Sequence, residues 1–158
     1  MRKSVLYVLF VFALIGSLLP LKPVRAATCY GSGCAGRDPV QTGCYSGSTV
    51  LSGAPVYAYG TEGWVIGKIE LRYSDACKTK WSRIIPYNYS VYLGGPIYNN
   101  SYGFMKKVGI SGGYNLKYGV GIINTAMIYG PGVSWQACGA IKITNGYYYI
   151  TCTGGSTK

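Results

Sequence analysis

CGAIKITNGYYYITC, residues 138–152, sets an Asn-Gly pair between two runs of strand-forming residues and closes each end with a cysteine. Asn-Gly between such runs is a strong hairpin signal. With a two-residue loop at Asn145-Gly146, Thr144 faces Tyr147 and Cys138 faces Thr153, which puts the two cysteines on opposite faces. With a three-residue loop, Thr144 to Gly146 with Gly146 left-handed, Ile143 faces Tyr147 and Cys138 faces Cys152. Only this second register, or a bulge at Gly139, lets the sulfurs meet. The expectation is an antiparallel hairpin carrying a Cys138–Cys152 disulfide.

Strand patterns continue along the chain. In WVIGKIELRYS, residues 64–74, Ile69, Leu71 and Tyr73 alternate with Lys68, Glu70 and Arg72. In YNLKYGVGI, residues 114–122, one face carries Tyr114, Leu116, Tyr118, Val120 and Ile122. Further strands are expected at Thr49–Tyr59, Trp81–Ile85, Ser90–Leu93 and Ala126–Tyr129. Amphipathic helices are missing, and Gly, Pro and Asn punctuate the short runs. The predicted class is all-β: a small antiparallel β-sandwich or barrel of about seven or eight strands.

The N-terminus reads MRKSVLYVLFVFALIGSLLPLKPVRA, with a basic start, an apolar run and a small residue at Ala26. This is the layout of a secretory signal peptide, residues 1–26, and its apolar run is short for a membrane span. Cleavage leaves residues 27–158 as a single domain. The leader holds four of the fifteen basic residues and none of the four acids, so the net charge falls from +11 to +7. That excess favours anionic partners such as wall polymers or lipid head groups. The cations are scattered, so no dedicated nucleic-acid site is expected, nor any transmembrane segment in the mature chain.

All six cysteines lie beyond Ala26, and an even number in an exported chain reads as a disulfide framework. There is no C-x-x-C and no histidine, so neither a zinc centre nor thioredoxin-like chemistry is expected. Once Cys138–Cys152 is set aside, Cys44–Cys77 and Cys29–Cys34 are taken as the remaining pairs. They tie down an irregular Cys/Gly-rich N-terminal segment.

Catalytic material is sparse. A serine nucleophile lacks histidine as its base, and no S-x-x-K occurs. The mature acids are Asp38, Glu62, Glu70 and Asp75. Asp38 before Pro39 and Asp75 read as turn residues, and Glu70 lies between Lys68 and Arg72 as a charge cluster. No catalytic residue, metal or cofactor is therefore expected, and dispersed carboxylates do not suit calcium. A carboxylate-dependent hydrolase built on Glu70 and Asp38 is the alternative. Aromatic side chains are more informative. Within Tyr147-Tyr148-Tyr149, Tyr148 faces opposite to its neighbours, and exposed tyrosine or tryptophan offers a surface for glycans or proteins. The run at 114–122 also has the alternation of a pore-forming hairpin, although a half-buried strand covering the core explains it more simply. NYS at Asn88 and NNS at Asn99 match glycosylation sequons.

Two stretches, CYGSGCAGRDPVQTGC at 29–44 and IELRYSDACKTKWSRI at 69–84, together resemble an exported bacterial family, domain of unknown function 2690. The shared pattern is Cys29, Cys34, Asp38-Pro39, Gly43-Cys44, Glu70 to Ser74, Cys77 and Trp81-x-Arg83, with a weaker match over 126–152. The resemblance implies bacterial export and one small domain, and it brings no activity, cofactor or catalytic residue. Glu70, Arg72, Trp81 and Arg83 are expected to form a cross-strand charge and stacking cluster near Cys77, architectural first and a binding surface second. The functional expectation is a secreted, non-catalytic domain that binds an envelope glycan, an anionic polymer or an extracellular protein. Tyr148, Trp81, Arg83, Arg72 and Lys68 are the candidate contacts.

Overall fold

The computed structural model describes residues 26–59, 63–87, 101–143 and 146–158. Residues 1–25 of the expected leader, Glu62, the strand expected at 90–93, Asn88 and Asn99 of the two sequons, and Thr144-Asn145 lie outside the described residues.

Among the described residues eight strands follow in order: β1 Thr49–Tyr57, β2 Val65–Ser74, β3 Thr79–Pro86, β4 Ser101–Lys107, β5 Tyr114–Gly119, β6 Ile123–Asn124, β7 Trp135–Lys142 and β8 Tyr148–Cys152. They form two four-stranded antiparallel sheets, ordered β1-β2-β3-β6 and β5-β4-β7-β8. Among the described residues neither sheet closes on itself, and the architecture fits a sandwich rather than a barrel.

The β7–β8 hairpin takes the register of the three-residue loop. Cys138 pairs with Cys152, Lys142 with Tyr148, and no bulge interrupts the ladder at Gly139. The Ile143 N–H donates to the Tyr147 carbonyl at 3.3 Å, and Gly146 has φ 87°. A residue with a Cβ is disfavoured in that left-handed region, which is why glycine ends this loop.

Alternation decides what lies between the sheets. Ile69 and Leu71 of β2 and Ile84 of β3 point inward, where Met105, Ala137 and Ile141 of the second sheet meet them in one buried cluster. The second sheet leaves room by placing glycine opposite glycine: Gly103 and Gly139 are register partners, and a Cβ on either would collide with Ile84. The layers therefore approach more closely than two rows of side chains would allow.

Two expectations are corrected. Residues 126–129 form no strand; Ile128 makes an isolated bridge to Lys80. The expected strand at 114–122 ends at Gly119, and the chain changes sheets so that β6 pairs with β3. Its apolar face does not cover the core. Tyr114, Leu116, Tyr118, Val120 and Ile122 are all exposed, because the polar residues of β5 have partners elsewhere. Asn115 donates to the carbonyls of Ala126 and Met127, and Lys117 pairs with Asp38 at 3.0 Å. Those contacts fix which side of the strand looks outward.

The N-terminal segment is irregular apart from a 3-10 turn at Gly31–Cys34. Disulfides join Cys29 to Cys34, Cys44 to Cys77 and Cys138 to Cys152. The Gly31 N–H donates to the Cys77 carbonyl, and Gly36 and Met127 are linked by a further 2.9 Å bond. Cys34, Cys44, Cys77, Trp81 and Met127 make a second small core beneath this segment.

Candidate functional site

Glu70 organises the outer face of the first sheet. Strand alternation puts Lys68, Glu70 and Arg72 there, and the register sets Arg83 opposite Glu70 and Trp81 opposite Arg72. The carboxylate meets Lys68 Nζ at 2.7 Å, Arg72 Nη1 at 3.0 Å and Arg83 Nη1 at 3.5 Å. Arg72 also donates to the Ser48 carbonyl at 2.9 Å. The Tyr45 ring covers both guanidinium groups, with centroid distances of 5.3 Å to Arg72 and 5.2 Å to Arg83. Burial alone would raise the Glu70 pKa. Hydrogen bonds from Lys68 and Arg72, and the charges of Lys68 and Arg83, outweigh it and hold the carboxyl below its ordinary value.

This arrangement takes Trp81 out of the expected binding surface. Trp81 is 0 % exposed, packed in the cysteine core with its Nε1–H donating to Asn124 Oδ1 at 3.2 Å. It offers no ring face to a ligand. Arg72 and Arg83 are largely buried and engaged with Glu70, and of this group Lys68 alone reaches well into solvent.

Tyr148 lies on the other sheet, in a setting the sequence reading missed. The register aligns Tyr118 with Tyr102, Tyr102 with Ala140, and Ala140 with Ile150 on the outer face of β5-β4-β7-β8. Ala140 is fully buried on that face, so the larger side chains close over it. Tyr102 is the hub: its ring centroid lies 5.3 Å from Tyr148, 5.4 Å from Tyr118 and 6.2 Å from Phe104. These separations suit tilted and offset aromatic pairs. Lys142 Nζ stands 5.4 Å from the Tyr148 centroid. Tyr118 is 61 % and Ile150 60 % exposed, and an open depression of about 320 Å³ lies between Tyr102, Phe104, Leu116 and Tyr118. Burial, then the neighbouring Tyr118 and Tyr148 hydroxyls, raise the Tyr102 pKa.

The remaining described acids, Asp38 and Asp75, are also engaged. Asp38 accepts N–H bonds from Val40 at 2.8 Å and Gln41 at 3.2 Å and pairs with Lys117, a turn arrangement. Burial acts to raise its pKa, and these donors, Lys117 foremost, bring it below the ordinary value. Asp75 meets Lys78 at 3.4 Å in an exposed turn. The sulfurs of Cys29, Cys34, Cys44 and Cys77 lie within 4.8 Å of one another. Each is spent in a disulfide, and a metal ligand must be a thiolate. Among the described residues no helix is long and apolar enough to cross a membrane.

A family model described as "Protein of unknown function (DUF2690)" matches residues 32–114, more than half of the chain. The chain belongs to this family. No curated protein and no solved structure matches it.

Proposed function

We propose that the domain is an exported, non-catalytic binding module that holds an anionic envelope glycan on the outer face of the β5-β4-β7-β8 sheet. The observation that carries this reading is the Tyr102 hub, with three aromatic rings around it and a lysine over one of them. A cluster of aromatic rings left facing water marks an interaction surface. Tyrosine presents an apolar ring face and a hydroxyl together, which suits a sugar better than a row of leucines would. Among the described residues the charge on this face is one-sided: Lys142 and, by alternation with Phe104, Lys106 lie there, whereas Asp38, Glu70 and Asp75 are paired to cations elsewhere. Six cysteines joined as three disulfides fit a chain that works in an oxidising compartment. Lowered pKa values at Glu70 and Asp38 run opposite to what a general acid needs, which speaks for binding over hydrolysis.

Retention on isolated bacterial cell wall at low salt tests the reading. Wild-type protein should be retained, and Tyr118→Ala with Tyr148→Ala should release it at least about tenfold more readily, the scale of one or two lost aromatic contacts. No retention at low salt would overturn the reading. The exposed row from Tyr114 to Ile122 favours a second reading, attachment to a lipid surface. Co-sedimentation of the purified protein with anionic lipid vesicles would select it.

A further inference from the structure

A separate cavity of about 200 Å³ opens where the β2–β3 end of the sandwich meets the C-terminal residues. Tyr73, Lys78, Lys80, Tyr129, Pro131 and Lys158 line it. It shares no residue with the aromatic face. Three chain segments build its wall, and backbone pairing holds them: Lys80 and Ile128 exchange two hydrogen bonds of 2.9 and 2.8 Å, and Trp135 and Ser156 form a second bridge.

The charge at this cavity is unbalanced. Lys80 is the register partner of Tyr73, whose neighbours Ile69 and Leu71 face the core, so its stem runs inward and the residue is only 2 % exposed. Its Nζ donates to the Val133 carbonyl at 3.2 Å, and no carboxylate among the described residues forms an ion pair with it. Burying an ammonium without a counter-charge is costly. Burial duly pushes the Lys80 pKa below the ordinary lysine range. Lys158 Nζ lies 5.3 Å from the Tyr73 ring centroid, and Lys78 pairs with Asp75 at 3.4 Å in an exposed turn, with Tyr73 and Tyr30 also within electrostatic reach. Among the described side chains, three cations thus border the hollow and one carboxylate, Asp75, stands at its edge.

We propose that this cavity is a binding site for a phosphoryl group, with Lys80 as its buried cation and Lys78 and Lys158 closing over it from the rim. A tetrahedral oxyanion has enough oxygens to meet several ammonium groups at once, and lysine serves phosphate as a mobile point charge. The bound anion supplies the counter-charge that Lys80 lacks. The group arrives either as free phosphate or as a phosphodiester of a polymer, and the two share this chemistry.

The test uses the full oxidised protein. Melting is followed in sodium phosphate and in sodium chloride of equal ionic strength, for the wild type and for Lys78→Gln, Lys158→Gln and Lys80→Met. A ligand that binds only the folded state raises the midpoint with its concentration. Phosphate should raise the wild-type midpoint above chloride, and each rim substitution should weaken phosphate binding about tenfold, the scale of one charge-assisted contact. Lys80→Met should abolish the response. Should that variant fail to fold, the two rim variants decide alone. Coincident wild-type curves in the two salts would overturn the site. So would rim variants that respond like wild type, since that pattern reports general salting effects. A soluble glycerol-phosphate oligomer is then competed against phosphate: displacement identifies the polymer as the source, and no displacement identifies the free ion. Failure of the cell-wall assay leaves this result untouched.

Discussion

A Cβ built on Gly139 would stand 2.7 Å from Cγ1 of Ile84 on the facing sheet. The same atom would lie 2.8 Å from Ile69 Cδ1, so the clash is with two fully buried side chains that have nowhere to retreat. Gly139→Ala gains about 0.5–1 kcal/mol from a stiffer unfolded chain, but overpacking a dense core costs about 1–3 kcal/mol. The overpacking term wins. The urea midpoint should fall, and an unchanged or higher midpoint would show that the layers are not in contact there.

Glu70→Gln should destabilise by about 3 kcal/mol, because it leaves Arg72 and Arg83 partly buried without their anion. The pH dependence follows from the lowered pKa values of Glu70 and Asp38. Unfolding releases carboxyls that bind protons more readily, so their contribution is complete above the ordinary carboxylate pKa. It is lost as pH falls through the lower folded values. Denaturation midpoints measured from neutral pH downward should show this acid slope, shallower in Glu70→Gln.

Replacing cysteine pairs with alanine should rank by loop length. In the chain-entropy picture, Cys44–Cys77 with a separation of 33 contributes about 4 kcal/mol, Cys138–Cys152 with 14 about 3, and Cys29–Cys34 with 5 about 2. Three double-alanine proteins compared by denaturant midpoint would establish the order.

Tyr102 should be among the last tyrosines to ionise, since burial and its Tyr118 and Tyr148 neighbours favour the neutral hydroxyl. Stability should fall as pH rises from the ordinary tyrosine value through the higher folded one. In an ultraviolet titration, Tyr102→Phe should lose absorbance change at the alkaline end of the curve and nowhere else.

Much of the fold is legible in the chain because its signals are local. The Asn-Gly turn and the cysteine spacing narrow the hairpin to a three-residue loop or a bulge at Gly139, and alternation along 64–74 separates the core side of β2 from its charged side. What alternation omits is direction. Along β5 it shows that one face is apolar, but the outward orientation is fixed by Asn115 and Lys117 finding partners distant in sequence. Strand β4 escapes notice for a related reason: its inward positions are Ser101, Gly103 and Met105, too small and mixed to read as a core-facing row. The aromatic hub depends on that strand, so Tyr102 and Phe104 stay hidden although Tyr148 does not. Trp81 misleads in the opposite way, since an aromatic beside arginines reads as a contact surface until the N-terminal segment is seen to bury it.

None of the three sulfur bridges runs from one layer of the sandwich to the other. One lies within the β7–β8 hairpin, one anchors the N-terminal segment to the turn after β2, and one is local to that segment. Heat can therefore peel the layers apart with every cross-link intact. A melted molecule keeps its cysteine partners already chosen, and on cooling it has only to re-seat Ile84 between two glycines rather than search among fifteen pairings.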